Sequence, residues 1–172
     1  ELSQGAVADL HEMDELIETS LAVMHEQSGG SEAVAVDLAA LLQSLVDDRA
    51  ELGQPVALRE PLPAVRVRAH PASLRRIVDN LVGNALRYGR QAQVCVDAAD
   101  GRVQVQVDDN GPGIAPERME RVFEPWVRGA LRPGGNGLGL AIARDLARRE
   151  GGDVTLANRA EGGLRATLTL PI

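Results

Sequence analysis

The chain has 172 residues, 44% of them hydrophobic and 25% charged, which is ordinary globular usage and enough length for one main domain plus an accessory element. A net charge of -7 disfavours nucleic acid as a partner, because neutralising a phosphate backbone takes clustered cations. All 18 cations are arginine, which excludes a phosphate-binding P-loop and lysine Schiff-base chemistry, and no apolar run nears the roughly twenty residues of a membrane span.

The sequence opens at Glu1 with neither an initiator Met nor a basic-then-apolar leader, as a piece of a longer protein would, with any membrane part lying elsewhere. From Val7 to Gln27, the apolar residues Leu10, Met13, Ile17, Leu21 and Met24 recur at three- and four-residue steps. This is an amphipathic helix whose stripe needs a partner. Ser28, Gly29, Gly30 and Ser31 break the pattern, so a helix of another chain is one source of that partner. Asp37 precedes a second helix, Leu38 to Leu52, stopped by Gly53 and Pro55, and a new domain starts near Val36. Strand pieces at Val56 to Leu58 and Val65 to Val67 lead to Pro71, which opens a helix with Leu74, Ile77, Val78, Leu81, Val82 and Ala85 inward. It runs to Tyr88, with Gly89 as its stop.

Val94 to Val96 and Val103, Val105 and Val107 form a hairpin around Asp100 and Gly101. Cys95 within it reads as a buried structural thiol, and one Cys with three His cannot assemble the zinc spacings. A Gly- and Pro-rich stretch from Asn110 to Asn136 holds one short helical turn and has the length of a functional lid. Gly137 to Glu150 is helical until Gly151 and Gly152, and strands follow near Val154 to Leu156 and from Leu164 to Leu170. The order predicts an α+β fold, a mixed sheet with helices on one face.

Four segments carry candidate chemistry. Asn80, Asn84 and Arg87 project from one face of the helix opened by Pro71. Amide oxygens one turn apart suit a hard cation such as magnesium and a guanidinium suits a phosphate; a plain solvated face is the alternative. Asp109 ends a strand before Asn110, Gly111, Pro112, Gly113 and Ile114, so it is either an acceptor for an amino group such as that of adenine or part of an ordinary Asp-Asn-Gly turn. Gly135, Gly137, Leu138, Gly139 and Leu140 run into a helix whose first N–H groups can meet an anion, a flexible surface loop being the other reading. The dinucleotide fingerprint does not fit, because Leu140 stands where it needs glycine. The aromatics Tyr88, Phe123 and Trp126 all fall in or beside these segments, to flank a base and anchor a lid or to pack in minor clusters.

In this order, the segment of Asn80 and Asn84, Asp109 with Gly111 and Gly113, Phe123 to Trp126, and Gly135 to Leu140 resemble the N, G1, F and G2 boxes of sensor histidine kinases, from about Val36 to Ile172. The stretch from His70 through Gly89 looks closest to the osmosensing EnvZ type. The resemblance implies a Bergerat-type two-layer α/β sandwich that binds ATP and Mg2+. Asn84 would be the metal ligand, Asn80 a neighbouring phosphate or metal contact, and Arg87 a phosphate contact. Tyr88 would lie on the adenine side, Asp109 would take the adenine amine, and Gly111, Gly113 and Ile114 would shape the base pocket. Gly135, Gly137, Leu138, Gly139 and Leu140 would wrap the phosphates. ATPase members of the superfamily carry a glutamate where this chain has Asn80, and asparagine cannot take a proton from water.

Residues 1–30 resemble the second helix of the dimerisation and histidine-phosphotransfer hairpin, so a homodimer is implied for the intact kinase and a response regulator for its partner. The family's acceptor motif is missing: His11 lies on the wrong helix, His25 near a helix end, and His70 at a helix start as a capping or surface residue. The expectation is a catalytic fragment, cytoplasmic, making no membrane contact itself, from a parent in the bacterial inner membrane. Competing readings are a non-catalytic nucleotide-binding and dimerisation module of a degenerate kinase, and an anti-sigma-type serine kinase.

Overall fold

A computed structural model describes residues 32–125 and 137–172. The helix expected from Val7 to Gln27, with His11 and His25, lies outside them, as do Trp126 and Gly135. Strand β1 (Val34–Asp37) leads into helix α1 (Leu38–Glu51), and Asp37 is both the last strand residue and the N-cap. Its carboxylate accepts the Ala40 N–H at 3.1 Å, a cap typically worth about 1 kcal/mol. Leu38, Leu42, Leu45 and Val46 turn inward at helical spacing. The edge strand β2 (Val56–Leu58) and strand β3 (Arg66–Ala69) follow.

Helix α2 (Pro71–Tyr88) begins with proline at a position where the missing N–H costs nothing, and buries Leu74, Ile77, Val78, Leu81, Val82 and Ala85, the face the sequence predicts. Strands β4 (Ala92–Ala99) and β5 (Arg102–Asp109) are joined through Asp100 and Gly101, whose φ of 53° and 71° give the mirror-image turn that matches strand twist. Two 3-10 turns, Pro116–Arg118 and Arg121–Phe123, stand where one short helical turn is expected. Helix α3 (Gly139–Arg149) starts two residues later than the glycine pattern suggests, and β6 (Asp153–Asn158) and β7 (Leu164–Pro171) close the fold.

The main sheet has the order β2-β4-β5-β7-β6, with β2 parallel to β4 and every other pair antiparallel. It is the mixed sheet expected. Val105, Leu168 and Val154 line up across three strands and are fully buried against the helices, with α2 and α3 packed along each other. The alternate residues Gln93, Asp97 and Gln104 are exposed, so among the described residues the helices cover one face only. Cys95, on that outer face, is nonetheless buried and free, as expected of a structural thiol.

The sequence does not foreshadow that β1 and β3 form a separate antiparallel ribbon, Val36 opposite Val67, both in the main core. His70 is a surface residue at the helix start, as expected, its side chain 42% exposed. It occupies the N-cap position of α2 without capping through its side chain; instead its Nδ1 meets Glu150 at 2.9 Å, and the other Glu150 oxygen accepts the His70 N–H at 3.3 Å. The residue closing α3 therefore caps the opening of α2.

Candidate functional site

Helix α2 buries one face, so Asn80 and Asn84, one turn apart, are left half-buried beside it, with Arg87 exposed in the last turn. The Asn80 side chain points toward the head of α3: its Oδ1 lies 3.5 Å from where a Cβ on Gly139 would stand. Its Nδ2 is buried and has no hydrogen-bond partner. A buried amide without a partner costs free energy, so this atom is suited to a ligand oxygen arriving between the two helices.

At the end of β5, Asp109 is 4% exposed. Its Oδ1 accepts two main-chain N–H groups, Gly111 at 2.7 Å and Leu164 at 3.0 Å. Both bonds fall on one oxygen, and neither uses Oδ2. The Gly111 α-carbon lies against the Tyr88 carbonyl at the end of α2, where an added Cβ would be 2.8 Å away. Asn110 ties the same corner, its Oδ1 accepting the Arg90 N–H at 2.8 Å. The Tyr88 main chain, Asp109 and Gly111 are thus brought together, and the loop continues through Gly113 and Ile114.

Asp108, one residue earlier, faces the opposite side of the sheet. It is 5% exposed and forks onto Arg165, both bonds at 2.7 Å, with Arg159 Nε 3.4 Å away. The fork holds the Arg165 guanidinium above its ordinary pKa, chiefly through the Asp108 hydrogen bond, with burial opposing. Arg159 also donates to the Asp109 carbonyl at 2.7 Å. A charged network therefore braces the residue that carries the pocket from behind.

On the other side, Gly137 and Leu138 lead into α3, and the first intrahelical bond is Ile142 N–H to the Leu138 carbonyl at 2.9 Å. The N–H groups of the first turn have no partner within the helix, and Gly139, which opens it, lies beside Asn80. The Leu140 side chain belongs to the core at 8% exposure, so what it can offer a ligand is its main chain, the groups the sequence reading names. Among the described residues no group of three or more His, Cys, Asp and Glu is placed to hold a metal. A cation here would rely on amide oxygens and on its own ligand's phosphates.

Phe123 packs against the core beneath the Arg144 guanidinium, 4.1 Å from the ring centroid. Arg144 also bonds Glu120 at 2.7 Å and Asp153 at 3.0 Å, bolting the end of the described loop to α3 and β6. Burial would raise the Asp153 pKa, but hydrogen bonds from Arg144, the Val154 N–H and Arg148 outweigh it and hold the carboxyl below its ordinary value of 3.8. A folded-state pKa below the unfolded one contributes stability that is complete above about pH 4 and is lost as pH falls through the folded value. Asp153→Asn is expected to lower stability at pH 7 by less than about 1 kcal/mol, the pair being partly exposed, and to flatten its decline below about pH 4 in urea melts at stepped pH.

Sequence reasoning missed Asn158, Arg159, Gly163 and Leu164, which hold the Asp109 loop from β6 and β7. The one visible signal is the Gly162-Gly163 pair before a strand.

A mixed sheet roofed by helices on one face, with a buried carboxylate at the end of β5 and two amides on the roof helix, defines a nucleotide-binding domain of the Bergerat type. Residues 69–172 match the family described as histidine kinase-, DNA gyrase B-, and HSP90-like ATPase, and the chain belongs to it as the catalytic domain of a sensor histidine kinase. The sensor histidine kinase GtrS of Pseudomonas aeruginosa is 40% identical over 168 residues, covering 95% of this chain and 34% of that protein. Full-length ShkA, solved in complex with AMPPNP, has a TM-score of 0.70 at 31% identity, covering 83% of this chain and 32% of that one. The histidine kinase domain of the E. coli osmosensor EnvZ has a TM-score of 0.66 at 33% identity, over 84% of this chain and 91% of that one. EnvZ is thus one match among several of similar strength, and the osmosensing type is not singled out. The chain spans about a third of the length of the curated relatives GtrS and AfsQ2. No helix among the described residues is long and apolar enough to cross a membrane.

Proposed function

We propose that the chain binds Mg-ATP and supplies the catalytic half of an ATP:protein-histidine phosphotransferase, with residues 36–172 as the catalytic domain and residues 1–30 as the second helix of a dimerising, acceptor-bearing hairpin. The observation that carries the reading is Asp109. A buried carboxylate with one oxygen held by two main-chain N–H groups is fixed in orientation, and its second oxygen is an acceptor matched to the exocyclic amine of adenine. Tyr88, Gly111, Gly113 and Ile114 complete the base side.

Asn80 and Asn84 face the phosphate side, Asn84 as the metal ligand. Asn80 offers its unpartnered Nδ2 to a phosphate oxygen, and Arg87 lies one turn along. The main chain of Gly137, Leu138, Gly139 and Leu140 presents N–H groups to the phosphates, with Gly135 as part of the same loop. Magnesium held by Asn84 and the phosphates would supply neutralisation of charge on the leaving phosphate. The residues themselves bind and orient, and none is a strong base near Asn80. A neutral histidine acceptor brings its own lone pair, so positioning suffices. The AMPPNP complex of ShkA supports the nucleotide reading. In the intact protein, a membrane-anchored homodimer, the phosphoryl group would pass to a response-regulator aspartate.

Calorimetric titration with AMPPNP, with and without magnesium, tests this. The parent chain is expected to bind more tightly with magnesium, and Asn84→Ala to lose most of that increment while keeping its metal-free affinity. Phosphorylation of a separately supplied acceptor hairpin in the presence of ATP then tests transfer. A folded parent that binds no nucleotide would overturn the kinase reading in favour of a degenerate module.

A further inference from the structure

The loop from Asp109 to Ile114 is gripped at both ends by a single rung of the β6–β7 ladder. In that rung Asn158 stands opposite Leu164. Leu164 holds the near end of the loop, its N–H donating to Asp109 Oδ1 at 3.0 Å. Asn158 holds the far end. Its Oδ1 accepts the Ile114 N–H at 2.9 Å and its Nδ2 donates to the Ile114 carbonyl at 2.7 Å. One side-chain amide thus pairs with both main-chain groups of one residue, as a neighbouring strand would. Gly113 makes room for it: with φ of 72°, a Cβ there would lie 2.5 Å from Asn158 Oδ1. The approach needs a residue with no side chain and a left-handed backbone.

We infer that Asn158 is a positioning residue for base recognition, locking the Gly113–Ile114 end of the loop to the rung that already fixes Asp109. The inference rests on the reading of that loop as the base pocket. A loop tethered only at Asp109 samples arrangements in which Ile114 and Gly113 do not line the pocket, and the nucleotide must then order it at the expense of affinity. Asn158 is exposed at the end of β6, so its bonds compete with water and contribute little to global stability. Its removal is therefore expected to show in nucleotide affinity and local protection, not in the melting transition.

The test uses the whole chain with Asn158→Ala and Asn158→Leu, the second keeping the volume without the bonds. Three quantities are read: Kd for Mg-AMPPNP by calorimetry, hydrogen exchange of the Ile114 amide by NMR, and the thermal midpoint. Both variants are expected to exchange the Ile114 amide at least tenfold faster and to bind about tenfold more weakly, the weight of one to two hydrogen bonds, with the midpoint within a few degrees of the parent. With an acceptor hairpin supplied, KM for ATP should rise while kcat at saturation is retained. Unchanged affinity in variants of a parent that binds would overturn this inference alone. So would an affinity loss that tracks a large drop in midpoint, since that marks a structural role. A parent that does not bind Mg-AMPPNP would overturn the pocket reading, and this inference with it.

Discussion

Replacing Gly163 with alanine is expected to destabilise the folded chain by about 3 kcal/mol or more and to abolish nucleotide binding with it. The residue has φ of 90°, and a Cβ built on it stands 2.0 Å from the Asp109 carbonyl oxygen and 2.7 Å from its carbon. These are main-chain atoms at the end of a central strand, so no side chain can swing aside to relieve the overlap. Relief requires moving either the end of β5, which carries Asp109, or the start of β7. Gly162→Ala provides the control, with φ of 93° and nothing within 4 Å of its Cβ. It incurs backbone strain without the overlap, on the order of 1 kcal/mol or slightly more. Urea denaturation of both variants separates the two contributions. Equal losses would show that β5 and β7 do not approach as closely as the structure has them.

Asp109→Asn is expected to weaken Mg-AMPPNP binding by about a hundredfold or more while leaving the chain folded. Asparagine has an acceptor oxygen for the Gly111 and Leu164 N–H groups, so the local frame survives. In the proposed pocket the second position would then become an amide donor facing the adenine amine, a buried donor against a donor. Sites built around a hydrogen bond discriminate by two to three kcal/mol, roughly, when that bond is reversed or removed. Asp109→Ala, by contrast, strips both main-chain groups of their partner and should lose stability as well as affinity. Calorimetry beside a melting curve distinguishes them. Tight binding by the Asn variant would move base recognition away from Asp109.

Local chemistry made much of this molecule legible in its sequence. The proline at the head of α2, the three- and four-residue spacing from Leu74 to Ala85 and the Asp100-Gly101 turn each depend on interactions within a few residues, and each stands where it is expected. The juxtaposition of Tyr88, Asp109 and Gly111 was legible only through the ordered resemblance, since no spacing brings the end of one helix against the end of a strand. What pairing across long separations decides was not legible. The β1–β3 ribbon joins short segments about thirty residues apart, and Asp108 with Arg165 reads as an ordinary outward-facing pair of strand residues until register places them side by side. Asn158 likewise looks like a turn residue at the end of a strand, and only the ladder aims its amide at Ile114. The start of α3 fell two residues late because Gly137, with φ of 68°, belongs to the approach and not to the helix.

The contact between Asp109 and Leu164 spans 55 residues and joins β5 to the final hairpin. Closing so long a loop is entropically slow compared with zipping the β4–β5 hairpin. The order of events during synthesis follows from this. A chain still emerging from the ribosome can form α2 and the β4–β5 hairpin early, but the wall behind Asp109 arrives only with β7. Nucleotide capture is therefore a late event in the birth of the domain, and a nascent chain halted before Leu164 should emerge as an ATP-blind intermediate.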